Sequence, residues 1–277
     1  MTIGIGVLCS TYAGIDRPAR PRPDALVMMA DTMGSIGCAD STQVLHKLFA
    51  SESNNLFAVG SGHIEVASEM FATINLELPH LTEPRSYGAV WRTLSRIANG
   101  YRSERFSVDV IAPRFTYILG QIPVPEHDNL MREWRDYHVG ADLLVGTFDD
   151  VGRALLFYIG PMQEKLGLVH TQMFPGCFAI GSGGYNATVW LNYRNQNLGM
   201  SLVQSSFHAY EASLMASSSP NVNSYLDVVV ATKDKAFEFS TYKDAPADCP
   251  VSLVQLRNLA EKLGPQKTNS LGFDQEG

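Results

Sequence analysis

Three residues of this 277-residue chain have types and spacing that could do chemistry together: Thr2, Asp31 and Lys47. Thr2 follows Met1 and opens the strand-like run Thr2-Ile3-Gly4-Ile5-Gly6-Val7-Leu8-Cys9. Asp31 closes the apolar run Val27-Met28-Met29-Ala30, and Lys47 follows sixteen residues later in Val44-Leu45-His46-Lys47-Leu48-Phe49. Thr is small enough for the initiator Met to be removed, which would free an α-amino group with a pKa of about 7.7–8.0. Such an amine is partly neutral near pH 7, and a nearby ammonium lowers its pKa further. A neutral amine beside a hydroxyl can take its proton as the hydroxyl attacks a carbonyl. In this reading Thr2 is the nucleophile, Lys47 supplies positive charge and Asp31 orients Lys47. The competing readings are an inert first strand and a structural ion pair. A buried pair costs desolvation that can exceed its Coulomb gain, so a carboxylate and a lysine set around apolar strands point to use.

The elements that must position these residues are legible from periodicity. Residues 2–10 read as a first strand and Ala25 to Ala30 as a second, which puts Val27, Met29 and Asp31 on one face. Between them, residues 11–24 contain Arg17-Pro18-Ala19-Arg20-Pro21-Arg22-Pro23, which cannot continue a ladder because each Pro lacks a donor. The segment reads as an exposed loop or a basic arm. Gly34-Ser35-Ile36-Gly37 reads as a turn, residues 43–50 as a strand carrying Lys47, and Leu56 to Val59 as another. Gly60-Ser61-Gly62 is expected to break that strand and open a helix, with Ile64, Ala67, Phe71 and Ile74 at helical spacing. A second helix is expected from Ser86 to Tyr101.

Residues 106–140 are an elaboration, with a strand at Phe115 to Gln121 and a helix at Asn129 to Tyr137. Strands follow at Asp142 to Phe148, Ala154 to Ile159, Gly167 to Gln172 and Cys177 to Gly181. Gly181-Ser182-Gly183-Gly184 opens a helix to about Gln196, and another covers Leu202 to Ala216. Strands at Tyr225 to Thr232 and Ala236 to Thr241 precede a helix near Val251 to Leu263 and a polar tail. Strands, two helices, strands, two helices, strands is not βαβ alternation. It suits two antiparallel sheets packed face to face between helix pairs, an α+β four-layer αββα sandwich. One domain is expected over residues 2–245, with residues 246–277 as helix and tail.

Two strand–Gly-Ser-Gly–helix corners, at 60–62 and 181–183, are expected to aim helix-start N–H groups at one end of the sheets. Gly62 is the candidate donor to a developing oxyanion. Glycines also simply permit tight corners.

The pattern resembles the threonine-type N-terminal-nucleophile hydrolases, the proteasome β subunits and HslV peptidases. The resemblance rests on Thr2, Ile5-Gly6-Val7-Leu8-Cys9, Ala30-Asp31-Thr32, the Asp31-to-Lys47 spacing and the two Gly-Ser-Gly corners. It spans about residues 2 to 242. It implies the same αββα sandwich and a peptidase that cuts polypeptides through an acyl-enzyme on Thr2. It also implies self-assembly into a ring or other closed oligomer and, by analogy with HslV, an ATP-driven unfoldase. Gly62 matches the oxyanion glycine, Ser182 the serine near the terminal amine, and Ser35 a residue whose backbone pairs with substrate. Substrate-pocket residues fall near Val59 and Ile64. One departure stands out: Ser219 matches a conserved-motif serine, but Ala216 replaces the aspartate three residues before it. HslV-type chains also lack that aspartate and bind sodium there, which makes the carbonyls of Ser213, Ala216 and Ser219 candidate Na⁺ ligands. No cofactor is otherwise required. A catalytically silent scaffold subunit and a small-amide hydrolase are the alternatives.

Bulk properties narrow the classes. A net charge of −7 argues against non-specific nucleic-acid binding. No apolar run approaches the ~20 residues of a membrane span. Four widely spaced cysteines without a C-x-x-C pair fit reduced thiols in a cytoplasm. Gly181-Ser182-Gly183-Gly184 lacks the third glycine of a dinucleotide fingerprint. There is no Gly-Lys-Ser/Thr phosphate loop. The histidines show no zinc spacing, and His46 and His63 read as packing or surface residues.

Overall fold

The computed structural model describes residues 3–11, 22–36, 39–44, 46–112, 124–160, 176–218, 222 and 224–267. Thr2, Ser219, the proline-rich residues 12–21, the strands expected at Phe115 to Gln121 and Gly167 to Gln172, and the tail beyond 267 lie outside these residues.

Two antiparallel sheets form the centre. The first has five strands, β1 (Gly4–Cys9), β2 (Ala25–Asp31), β9 (Cys177–Ile180), β10 (Leu226–Thr232) and β11 (Ala236–Ser240), in the order β11-β10-β2-β1-β9. The second has four, β5 (Leu48–Ser51), β6 (Leu56–Gly62), β7 (Ala141–Phe148) and β8 (Ala154–Ile159), paired in sequence order. A separate two-stranded ribbon joins β3 (Met33–Ile36) to β4 (Ala39–Val44). Helices α1 (Ile64–Glu77) and α2 (Tyr87–Phe106) cover the four-stranded sheet. Helices α4 (Gly184–Tyr193), α5 (Leu202–Ala216) and α6 (Leu253–Lys267) lie on the side of the five-stranded sheet. Helix α3 (Val124–Asp136) belongs to the elaboration between α2 and β7.

Alternation along the strands explains the layers. Val27 and Met29 face the α4–α5 layer with Ala209 and Ala212. Leu26, Met28 and Ala30 face the other sheet, meeting Phe57, Val59 and Leu144. Leu143, Val145 and Phe157 pack under α1 and α2. Three apolar cores between four layers are the αββα sandwich. The sheets approach closely only because small residues allow it. A Cβ on Gly4 would run into Val59 Cγ1, and one on Gly6 would stand 2.8 Å from Leu156 Cδ1.

Local signals set several boundaries. Ser86 caps α2 by accepting from Ala89 N–H, and Ser201 with Gln204 forms a capping box at the start of α5. Arg102 on α2 fixes α3: its guanidinium donates to the carbonyls of Trp134, Arg135 and Tyr137 and lies over the Trp134 ring.

Three local expectations are corrected. Gly34-Ser35-Ile36 is strand, not turn. Gly60-Ser61-Gly62 continues β6 instead of breaking it, and α1 begins only after His63. Lys47 is not on a strand; it lies in the connection between β4 and β5. Among the described residues, no helix is long and apolar enough to cross a membrane.

Candidate active site

The start of β1, the end of β2 and the β4–β5 connection meet at one end of the sandwich. The register Gly4↔Ala30 brings Ile3 opposite Asp31. Asp31 N–H donates to Ile3 O at 3.2 Å, while Ile3 N–H donates to the Asp31 side chain, 2.9 Å from Oδ1. Lys47 Nζ donates to the same oxygen at 2.8 Å. One carboxylate oxygen therefore holds both the ammonium and the amide that joins Ile3 to Thr2. The side chains of Lys47 and Asp31 are 3% and 0% exposed, so this is a buried, charge-assisted constellation.

Lys47 bridges the two sheets. Its carbonyl accepts from Gly60 N–H at 2.8 Å, which ties its backbone to β6, while its side chain crosses to β2. Burial pulls its pKa below the ordinary lysine value, and Asp31 and then Asp227 oppose that pull. The result is a cation that is costly to keep charged and is kept so by its carboxylates.

Gly62 ends β6 with φ +79°, a backbone region that favours glycine. His63 N–H donates to Gly140 O at 2.9 Å, the bond that brackets a non-hydrogen-bonded pair in an antiparallel ladder. Gly62, paired with Ala141, therefore turns its own N–H away from β7. Amides two apart share an edge, so Gly62 N–H faces the edge on which Gly60 N–H meets Lys47. The Gly62 amide is thus a strand-end amide rather than the helix-start amide expected from the sequence.

The second corner lies at the same end, since Gly4 pairs with Ile180. Gly181 has φ +83°, Ser182 is exposed, and Gly183 is the N-cap of α4. Ser35 sits where the β3–β4 register shifts, between Gly34↔Gln43 and Ile36↔Ala39. Ile64 is half-buried at the start of α1, its Cδ1 3.1 Å from a Cβ placed on Gly60. Val59, by contrast, is fully buried between the sheets against Gly4, so it is a core side chain and not a pocket wall. Strand alternation explains this, because Phe57 and Val59 share the inward face.

Of the carbonyls expected to hold sodium, Ser213 O accepts Ser217 N–H inside the last turn of α5, Ala216 O stands 3.4 Å from a Cβ placed on Gly183, and Ser219 lies outside the described residues; no chemical step is assigned to an ion.

Two features were not anticipated. His46 Nδ1 lies 3.0 Å from Asp227 Oδ2 on β10. In addition, Ser61 Oγ and Tyr158 Oη donate to Asp142, at 3.1 and 2.8 Å. Burial raises the Asp142 pKa, partly offset by these two bonds; burial and Asp142 together raise that of Tyr158. Ser61 and Asp142 are 81 residues apart, and only the β6–β7 register joins them. Asp227 was detectable as the lone charge in the apolar run Leu226–Thr232.

Neither protein-family profiles nor curated proteins match this sequence. Among solved structures, the fold is similar to that of the Anbu (Gly-1) mutant from Hyphomicrobium sp. strain MC1, with a TM-score of 0.60 and 16% identity over 100% of this chain and 99% of the other. The fold is thus a proteasome-like sandwich. The resemblance to proteasome β subunits and HslV peptidases is corrected accordingly: no family profile supports that placement, and the similar solved structure is of an Anbu protein.

Proposed function

We propose that the chain is an N-terminal-nucleophile hydrolase that cleaves amide bonds, with peptides as substrates and Thr2 as nucleophile once Met1 is removed. The observation that carries this reading is the Asp31 oxygen shared by Lys47 Nζ and the amide next to Thr2. In this reading the Lys47 ammonium lowers the pKa of the freed amine and stabilises negative charge as it develops on the hydroxyl oxygen. The amine takes the hydroxyl proton as Oγ attacks the carbonyl carbon. Gly62 N–H stabilises the oxyanion, and Ser182 hydrogen-bonds near the amine. Collapse breaks the C–N bond, the amine returns the proton to the leaving nitrogen, and water then hydrolyses the ester on Thr2. Ser35 would offer backbone pairing to an extended peptide. We further propose self-association into a closed oligomer. A compartment of that kind admits unfolded chains, which an ATP-driven unfoldase could supply.

The test is intact mass combined with hydrolysis of fluorogenic peptides by the full chain. The reading expects a species lacking Met1 that cleaves peptides, no cleavage by Thr2→Ala, and a loss of about 100-fold or more in rate in Lys47→Met, the scale for removing one electrostatic stabiliser. A Met-free protein without hydrolysis, or an active Thr2→Ala variant, would overturn it.

A further inference from the structure

Lys47 is not held by Asp31 alone. The residue before it, His46, reaches a different carboxylate on a different strand. Asp31 and Asp227 occupy adjacent register pairs of neighbouring strands, Leu226↔Asp31 and Asp227↔Ala30. Two consecutive residues of the β4–β5 connection are therefore stitched to two strands of the opposite sheet. An exposed ion pair contributes little as a rule. Here only the imidazole is exposed: the side chain of His46 is 75% exposed and that of Asp227 12%. A lone carboxylate in a buried run such as Leu226–Thr232 costs desolvation unless it is used.

Strand order decides what that use is. β10 lies on the far side of β2 from β1. The Asp31–Lys47 pair thus separates His46 from the start of the chain, which is the wrong place for exchanging a proton with a nucleophile there. The remaining role is to place Lys47. We propose that His46 and Asp227 form a positioning clamp: the pair pins the connection so that the Lys47 ammonium turns to Asp31 instead of solvent, and Asp227 adds a second negative charge beside it. The clamp deepens the hydrolase reading and depends on it for its functional meaning. Its geometry does not. The charges around it are Asp31 on β2, Asp227 on β10, and Glu238 on β11, whose carboxyl senses Glu52, Lys243 and Asp227.

The test follows the Lys47 Cε resonance by NMR titration of the full chain carrying ¹³C-labelled lysine, assigned by its loss in Lys47→Met. His46→Ala frees the connection, admits water to Lys47 and moves its midpoint up, toward an ordinary lysine. Asp227→Asn keeps an acceptor for His46 but removes the charge, so the midpoint moves down. Shifts of about one pH unit in opposite directions are expected, each equivalent to a tenfold change in protonation equilibrium. His46→Gln, which can still donate to Asp227, stays near wild type. A structural role alone would not give opposite signs. Unchanged midpoints, or shifts of the same sign, overturn the clamp. If Asp227→Asn does not fold, the comparison of His46→Ala with His46→Gln decides, and equality of both with wild type refutes it. Inactivation by a β-lactone is measured in parallel. A wild-type chain that fails to react removes the hydrolase reading, while the titrations still judge the clamp.

Discussion

Replacing Asp31 by Asn probes the centre of the site without changing its shape. The Asn carbonyl can still accept Ile3 N–H, so what is lost is the charge opposite Lys47. Both residues are buried, and removing one member of a buried ion pair costs about 3–5 kcal/mol. The cost has a sign with pH. Burial already lowers the Lys47 pKa, and with Asp31 neutral only Asp227 opposes the fall, so it drops further. The native state then sheds the proton at a pH where the unfolded chain, with the ordinary lysine value of 10.5, still keeps it. Where the unfolded state binds more protons, stability rises with pH. The deficit of Asp31→Asn relative to wild type therefore shrinks by up to about 1.4 kcal/mol per pH unit while the variant's Lys47 has shed its proton and that of the wild type has not, and is constant at higher pH. Adding Lys47→Met removes the stranded amine and regains about 2 kcal/mol or more. Urea unfolding of the full chain at several pH values, with m unchanged, measures all three variants. A deficit below about 1 kcal/mol, or one that does not vary with pH, would refute the buried-pair argument.

Other perturbations test the frame around the site. Gly4→Ala drives a methyl into Val59 between the sheets and is expected to lower stability by about 1–3 kcal/mol in denaturant melts. Arg102→Ala removes three donations to backbone carbonyls and the stacking over Trp134; hydrogen exchange should quicken across residues 124–137 while β1 and β2 stay protected. His208 is half-buried, and its desolvation together with Arg194 lowers its pKa from 6.5 to about 4. It is neutral in the native state, so stability falls as pH drops through that window, by up to about 3 kcal/mol at 1.36 kcal/mol per unit. In His208→Gln, melts at about pH 4 and about pH 7 should differ by correspondingly less than in wild type.

The sequence disclosed the sandwich because its signals are local and mutually consistent. Leu202–Ala216 is bounded by a Ser201–Gln204 capping box, and β2 alternates cleanly between two cores up to Asp31. The meeting of Asp31 with Lys47 was also legible, since Asp31 closes an apolar run and Lys47 follows sixteen residues later among apolar neighbours. What local reading missed has common causes. Glycine at 34, 60 and 62 reads as punctuation, yet these residues sit in strands; at Gly60 a Cβ would stand 2.7 Å from Ala67 Cβ, so the glycine serves the approach of α1. Val59 is expected from the resemblance near a substrate pocket, but alternation turns it inward. The partners of Asp227 and Asp142 depend on pairings between distant strands, which periodicity does not encode.

The central claim is a free amine and a hydroxyl on one residue beside Lys47. An epoxyketone can react with both groups of a single N-terminal threonine, so it reads the two halves of the claim at once. After incubation with the full chain, peptide mapping by mass spectrometry should place one adduct on Thr2 in Met-free protein, and none in Lys47→Met over the same time. An adduct elsewhere, or an unmodified Thr2 in protein that has lost Met1, would contradict the account.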